Sequence, residues 1–228
     1  MIKTDAIFDV IDEFSCIWVP TSVEAPDLAK ISNIVIVQNK EFLSLPIGAI
    51  GRVWPWLEHS KVKLLTRLEF DFKNDTTPDM AMSELATKTT EAFRHGASGA
   101  QIFVHINNIP EFVKMILPLR DDLFFERYLS VAINIDEIKN GNVKDVLELL
   151  AKIKPDSVLV IADGDSFDPK SDFVGRIFGM LENWGWDFAL HIMFGGNMMR
   201  VSQVLRLVQR MQPKLISDLR VFIIPPQE

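Results

Sequence analysis

Short apolar runs rich in β-branched and aromatic residues alternate along this chain with longer stretches in which apolar positions recur every three or four residues. The first pattern is that of strands buried on both faces, the second that of amphipathic helices. Strands are predicted near Cys16 to Val19, Asn33 to Val37, Lys63 to Asp71, Gln101 to Ile106, Leu129 to Ile135, Ser157 to Ala162, Phe188 to Phe194 and Arg220 to Ile224. Helices are predicted over Met80 to His95, Pro110 to Leu117, Val143 to Ile153, Asp172 to Trp184 and Met199 to Met211. Thr77-Pro-Asp opens the first of these with a capping hydroxyl and a proline suited to the first turn, and Gly96 supplies the turn into the next strand. Strand-helix alternation demands parallel pairing and right-handed crossovers, which leaves a doubly wound sheet or an eightfold barrel. Eight strands favour the barrel: an α/β fold of the (β/α)8 TIM class, one domain over residues 1–228.

The ends of the pattern are uneven. No helical pattern follows Val221-Phe-Ile-Ile-Pro-Pro, so the helix that would cover the last strand is missing. Ile7, Val10, Ile11 and Phe14 fall on one face of an expected N-terminal amphipathic helix, which could cover that strand or close the barrel floor; a partner subunit could do the same.

The strand ending Glu69-Phe-Asp-Phe-Lys-Asn-Asp75 is the most informative. Side chains alternate across a strand, so Arg67, Glu69, Asp71 and Lys73 share one face and Leu68, Phe70 and Phe72 the other. Phenylalanines packed under helices leave those charges lining the mouth of the barrel, where sites of this fold are built. The C-terminal ends of the other strands add His105 and Asn107, Asn134 and Asp136, Asp163 and Asp165, and Gly195-Gly196-Asn197. The result is an acidic mouth around one lysine, a setting that suits a divalent cation or a cationic intermediate. Flanking carboxylates keep Lys73 protonated, fitting it to donate a proton or stabilise an enediolate; a structural ion pair at the rim explains the same residues. His191 lies deeper on its strand and reads as structural, and the four histidines have no zinc-site spacing.

Composition narrows the partners. The formal charge of -7 argues against a nucleic-acid surface. Cys16 is the single cysteine, so an intrachain disulfide is excluded, in keeping with a reducing cytoplasm. The absence of a signal-like or membrane-spanning apolar run leads to the expectation of a soluble cytoplasmic protein.

Asp71-Phe-Lys73-Asn-Asp75, a helix, and then Gly96-Ala-Ser-Gly-Ala-Gln-Ile-Phe-Val-His105 resemble the orotidine 5'-phosphate decarboxylase superfamily. Gly185-Trp-Asp-Phe-Ala-Leu-His-Ile-Met-Phe-Gly-Gly196 is similar to the penultimate strand of its sugar-phosphate branch, that of 3-keto-L-gulonate 6-phosphate decarboxylase and 3-hexulose-6-phosphate synthase. The aspartates here are one residue closer than in that superfamily, and Ile224-Pro-Pro stands where a Gly-Arg phosphate clamp would be. The resemblance implies a decarboxylase or aldolase acting on a phosphorylated sugar or nucleotide through an enediolate or carbanion-like intermediate. Lys73 would handle the proton, with Asp71 orienting it and His105 nearby; Asp75 or Asp163 would contact substrate hydroxyls or a metal. Mg2+ is the implied ion, on Asp71 and Asp163. Asn107, Asp163, Gly195, Gly196, Asn197 and Arg200 would bind substrate and its phosphate, and a homodimer is expected. The alternative is a divergent barrel serving as a binding or assembly module, for which Trp54, Trp56, Trp184 and Trp186 are candidate surface aromatics.

Overall fold

The computed structural model describes residues 14–21, 25–72, 76–138, 143–161, 173–194 and 198–224. Eight parallel strands close into one barrel: β1 Ser15–Trp18, β2 Phe42–Pro46, β3 Lys63–Phe70, β4 Gly99–Val104, β5 Tyr128–Asn134, β6 Ser157–Ile161, β7 Ala189–Phe194 and β8 Arg220–Ile223. The ring is sealed by β8 against β1, with Cys16 opposite Phe222. The helices described are α1 Ala25–Val37, α2 Ile47–Leu57, α3 Pro78–Arg94, α4 Ile109–Ile116, the short α5 Arg120–Leu123, α6 Val143–Lys152, α7 Phe173–Glu182 and α8 Met198–Met211. This is the (β/α)8 barrel expected from the alternation. Of the expected amphipathic segment, Ile7, Val10 and Ile11 lie outside the described residues, and Phe14, helical and partly buried, directly precedes β1.

One element differs from expectation, and its reason is physical. Asn33 to Val37, with its Ile-Val-Ile-Val run, is the last part of helix α1, and the second strand is Phe42–Pro46. Leu28, Ile31 and Val35 recur at helical spacing and are buried against the sheet, while Ile34, Ile36 and Val37 point outward, Val37 being 74% exposed. Burial of that stripe outweighs the local β-propensity of branched residues, which is a weak preference beside tertiary packing. The crossover helix between β1 and β2 has no other sequence from which to form.

Inside the barrel, Cys16, Phe42, Leu65, Ala132, Leu159 and Phe222 form a sealed layer, with Trp18, Phe103, Tyr128, Ile161 and Met193 against it. The outward faces of the strands build the larger core with the helices, and here Phe70 packs on Phe72 and Phe112. Inward and outward sets on β3 are therefore those the alternation demands. Burial in the interior layer pushes the Cys16 thiol up to about 12, so it is inert packing.

The start of α3 is capped as its sequence predicts: the Thr77 hydroxyl accepts the Met80 amide at 3.3 Å, with Pro78 in the first turn. Its end depends on Gly96, whose φ of 101° is left-handed and whose α-carbon faces the Trp54 ring so closely that an added methyl would lie 2.4 Å from it. Gly96→Ala is therefore expected to cost roughly 2–5 kcal/mol, the sum of a left-handed backbone and an overpacked contact, read as a lower urea midpoint with an unchanged slope.

Candidate active site

The C-terminal rim of the barrel gathers a compact group from β3, β4 and β5. Glu69 is the last inward residue of β3 and Asp71 follows just beyond the strand; His105 follows β4, and Glu137 ends the 3-10 turn Ile135–Glu137 after β5. His105 Nδ1 lies 2.6 Å from Glu137 Oε1, and the other oxygen of that carboxylate accepts the Ile106 amide at 2.8 Å. Glu137 is thus held from two sides and fixes the imidazole, leaving Nε2 turned toward Glu69 Oε1 at 3.9 Å. One ligand atom from each of Glu69, Asp71 and His105 falls within 4.8 Å of the others. Asn108 Nδ2 donates to Asp71 Oδ1 at 3.3 Å.

This arrangement can do two things chemically. An imidazole whose Nδ1 proton is held by a carboxylate is oriented to accept a proton at Nε2, and the carboxylate stabilises the imidazolium that results. Two carboxylates and an imidazole at this spacing also form a donor set for a divalent cation. Its oxygens suit Mg2+, and its nitrogen adds affinity for Mn2+ or Zn2+. Glu137 would then be the outer carboxylate that fixes the ring of a ligating histidine.

Of the residues singled out from sequence, Asp71 and His105 are brought together here. Asn107 is not: it is exposed, and its neighbour Asn108 reaches Asp71 instead. The strand ends at Val104 and the chain winds into the 3-10 turn Ile106–Asn108, so the alternation that put Asn107 on the inward face no longer applies. Asp136, counted with the mouth charges, pairs with Arg176 of α7 at 3.2 Å, and Asn134 accepts the Asp136 amide at 2.8 Å as a turn cap. Lys73, Asp75, Asp163, Asp165, Gly195, Gly196 and Asn197 lie outside the described residues, as does the side chain of Arg200. Asp163, the second metal ligand implied by the resemblance, is among them, whereas Glu69 and His105 stand beside Asp71. Glu137 belongs to a turn, where no periodicity marks an inward side chain. Its only signal is an acidic residue just past the end of an apolar strand.

The opposite end of the barrel is polar in a different way. Arg220 donates to Glu41 from Nε at 2.7 Å and Nη2 at 2.6 Å, and Lys63 reaches the same carboxylate at 3.1 Å. Desolvation pushes Glu41 up, but the hydrogen bonds and charge of Arg220 and Lys63 outweigh it and hold its carboxyl below the usual range. His191 stacks on Tyr128 at 11° in this floor, and burial, aided by the nearby Arg220 and Lys63 charges, lowers it to about 3. The neutral ring is structural, as its depth on the strand suggested.

No protein-family model matches the chain, and no curated protein sequence matches it. Solved structures do. A protein titled QR15, an aldolase, superposes with a TM-score of 0.67 at 12% identity, over 94% of this chain and 91% of its own. The tetrameric deoxyribose phosphate aldolase of Aeropyrum pernix gives 0.68 at 10% identity, over 95% and 87%. A D-psicose 3-epimerase gives 0.56 at 9% identity, over 90% and 81%. The likeness is one of fold. It bears out the barrel implied by the orotidine 5'-phosphate decarboxylase resemblance, while these three structures are of two aldolases and an epimerase. Barrels of this kind host many chemistries, so activity has to be argued from the site itself.

Proposed function

We propose that the protein is a carbon-carbon lyase, cleaving or forming a bond beside a carbonyl in a small hydroxylated, phosphorylated substrate held at the C-terminal mouth. The observation that carries this reading is the Glu137–His105 pair aimed at Glu69 and Asp71. In it, His105 Nε2 takes the proton of the substrate hydroxyl whose carbon-carbon bond breaks, and Glu137 stabilises the resulting imidazolium. Lys73, two residues beyond Asp71 in the sequence, is the proposed proton donor to the enediolate left on the other fragment. The aldolase titles of similar structures support a lyase, and decarboxylation, which passes through the same enediolate, is the second reaction to assay. Gly195, Gly196, Asn197 and Arg200 are the proposed phosphate contacts, and a homodimer is part of the reading.

Glu69, Asp71 and His105 are the residues that would hold a divalent cation, which would polarise the carbonyl oxygen. His105 Nε2 has one lone pair, so it serves as base or as ligand. Turnover that survives chelation assigns it as base; turnover lost on chelation and restored by Mn2+ or Mg2+ assigns it as ligand.

The deciding experiment is a thermal-shift and turnover panel with ribulose 5-phosphate, xylulose 5-phosphate, deoxyribose 5-phosphate, uridine monophosphate and inorganic phosphate. Ligand that binds only the folded state must raise the midpoint. A sugar phosphate should raise it in the parent protein and not in Lys73→Ala, and should be turned over. No shift from any of them would favour the second reading, a binding or assembly module, which the outward-facing Ile34, Ile36 and Val37 of α1 and the half-exposed Trp56 favour. Trp184, by contrast, is buried.

A further inference from the structure

One layer beneath the acidic rim, two buried hydrogen-bond donors face the barrel interior and find no acceptor among the described residues. Arg67 and Gln101 are direct partners in the β3–β4 register, and both stand on the inward side of their strands. Gln101 is 2% exposed; its Oε1 takes the hydroxyl of Ser44 from β2 at 2.5 Å, yet its Nε2 has no partner. Arg67 stacks its guanidinium 4.2 Å above the Trp18 ring and donates Nη2 to the Val19 carbonyl, yet its Nη1 is buried with no partner. Among the described residues no carboxylate is paired with Arg67. Burial alone, with no compensating charge, lowers it to about 10.

A buried Nη1 and a buried Nε2, each without an acceptor on neighbouring strands, are costly in a protein interior unless an acceptor arrives from outside. Both groups are planar donors, and the missing acceptor would also supply the missing negative charge. Water would satisfy the hydrogen bonds but not the charge. The position adds a direction: Arg67 is two residues below Glu69 and four below Asp71 on the same inward row, about 7 and 13 Å along the strand.

We propose that Arg67 and Gln101 form a carboxylate-binding site beneath the mouth, and that the substrate is therefore a small acid, with its carboxylate down on these two donors and its reacting carbonyl and hydroxyl up against Glu69, Asp71 and His105. The proposal rests on the lyase reading for where bonds break, but binding of the carboxylate needs no turnover. It also accounts for the inversion of charge along one row of β3, from a cation inside to anions at the rim. A carboxylate seated below would be drawn to the cation and kept from the acidic groups that work on the other end of the molecule.

The test uses oxalate and pyruvate as probes in thermal-shift titrations against ionic-strength-matched chloride, with inorganic phosphate as a second anion. At a hundredfold excess over Kd a ligand of the folded state should raise the midpoint by about 5–10 °C. Arg67→Met should weaken oxalate binding by roughly 10- to 100-fold while leaving the unliganded midpoint unchanged or higher, because an uncompensated buried charge has been removed. Gln101→Glu should supply the absent carboxylate internally: its midpoint should rise, and oxalate should no longer shift it. Three results would each overturn the proposal: no shift in the parent protein from oxalate or pyruvate, an oxalate shift that survives in both variants, or an Arg67→Met variant that folds but is markedly less stable, as a purely structural stack on Trp18 requires. A shift with phosphate alone would also overturn it. Oxalate binding without lyase turnover would keep this site and sink the lyase reading, while lyase turnover of uncharged-end sugars unchanged in Arg67→Met would do the reverse.

Discussion

Replacing His105 by Gln is expected to lower kcat on the cleaved substrate by roughly 10²- to 10⁴-fold, the usual contribution of a positioned general acid or base. The size follows from how the ring is held. Glu137 grips Nδ1 at 2.6 Å and is itself tied to the Ile106 amide, so Nε2 has one direction and the imidazolium formed on proton transfer is compensated at once. Glutamine keeps a polar group there but can neither accept a proton at the same place nor pass it on. The folded state should hardly notice, because the His105 side chain is partly exposed and sits on the rim, outside the sealed interior layer. Glu137→Gln should lose about 10- to 100-fold, as a positioning residue whose removal frees the ring without removing it. Steady-state rates alongside melting curves decide the matter. An intact rate in His105→Gln sinks the mechanism, and a rate loss matched by a large loss of stability reduces the pair to a rim ion pair.

The second large effect is on acid stability and comes from the other end of the barrel. His191 is 1% exposed and is lowered to about 3 by burial first and by the Arg220 and Lys63 charges next. In the unfolded chain it binds a proton near its ordinary 6.5, so between 6.5 and 3 the unfolded state holds more protons than the folded one. Stability therefore lies on a plateau above about 6.5 and is lost as the pH falls across that window. At about 1.4 kcal/mol per pH unit the loss is at most about 5 kcal/mol. Urea unfolding at pH 7 and pH 4 should show it in the parent protein, whereas His191→Gln, which cannot charge, should lose much less between the same two conditions. Equal losses in both proteins would remove His191 as the cause.

The sequence made the barrel legible because strand and helix patterns repeat and because β3 carries its parity plainly. Seven of the strands fall where apolar runs predict them; the eighth, Phe42–Pro46, is a short run with a proline that hides behind the more β-like Ile34-Val-Ile-Val. There the deciding fact, that Leu28, Ile31 and Val35 share one buried helical face, is visible only with the sheet in place. At the site, Asp71 and His105 could be found because each continues the inward row of a strand. The same rule extended one residue pair further points to Asn107, but there the chain has entered a turn that breaks it. Glu137 and Asn108 come from turns, which have no period to read. Arg67 and Gln101 were legible as inward residues but not as orphans, since an unpaired donor is a property of its surroundings.

The interior layer of Cys16, Phe42, Leu65, Ala132, Leu159 and Phe222 has a kinetic consequence as well. Packed to near-zero exposure, it closes the barrel beneath the rim among the described residues, so a ligand of Glu69, Asp71 and His105 comes to them from the C-terminal side. On the lyase reading, substrate and product then contend for the same face of the barrel. Inhibition by a product that keeps the substrate's anionic end should accordingly be competitive, and changes to the Glu41–Arg220 floor should tune the protein's endurance without altering what enters above.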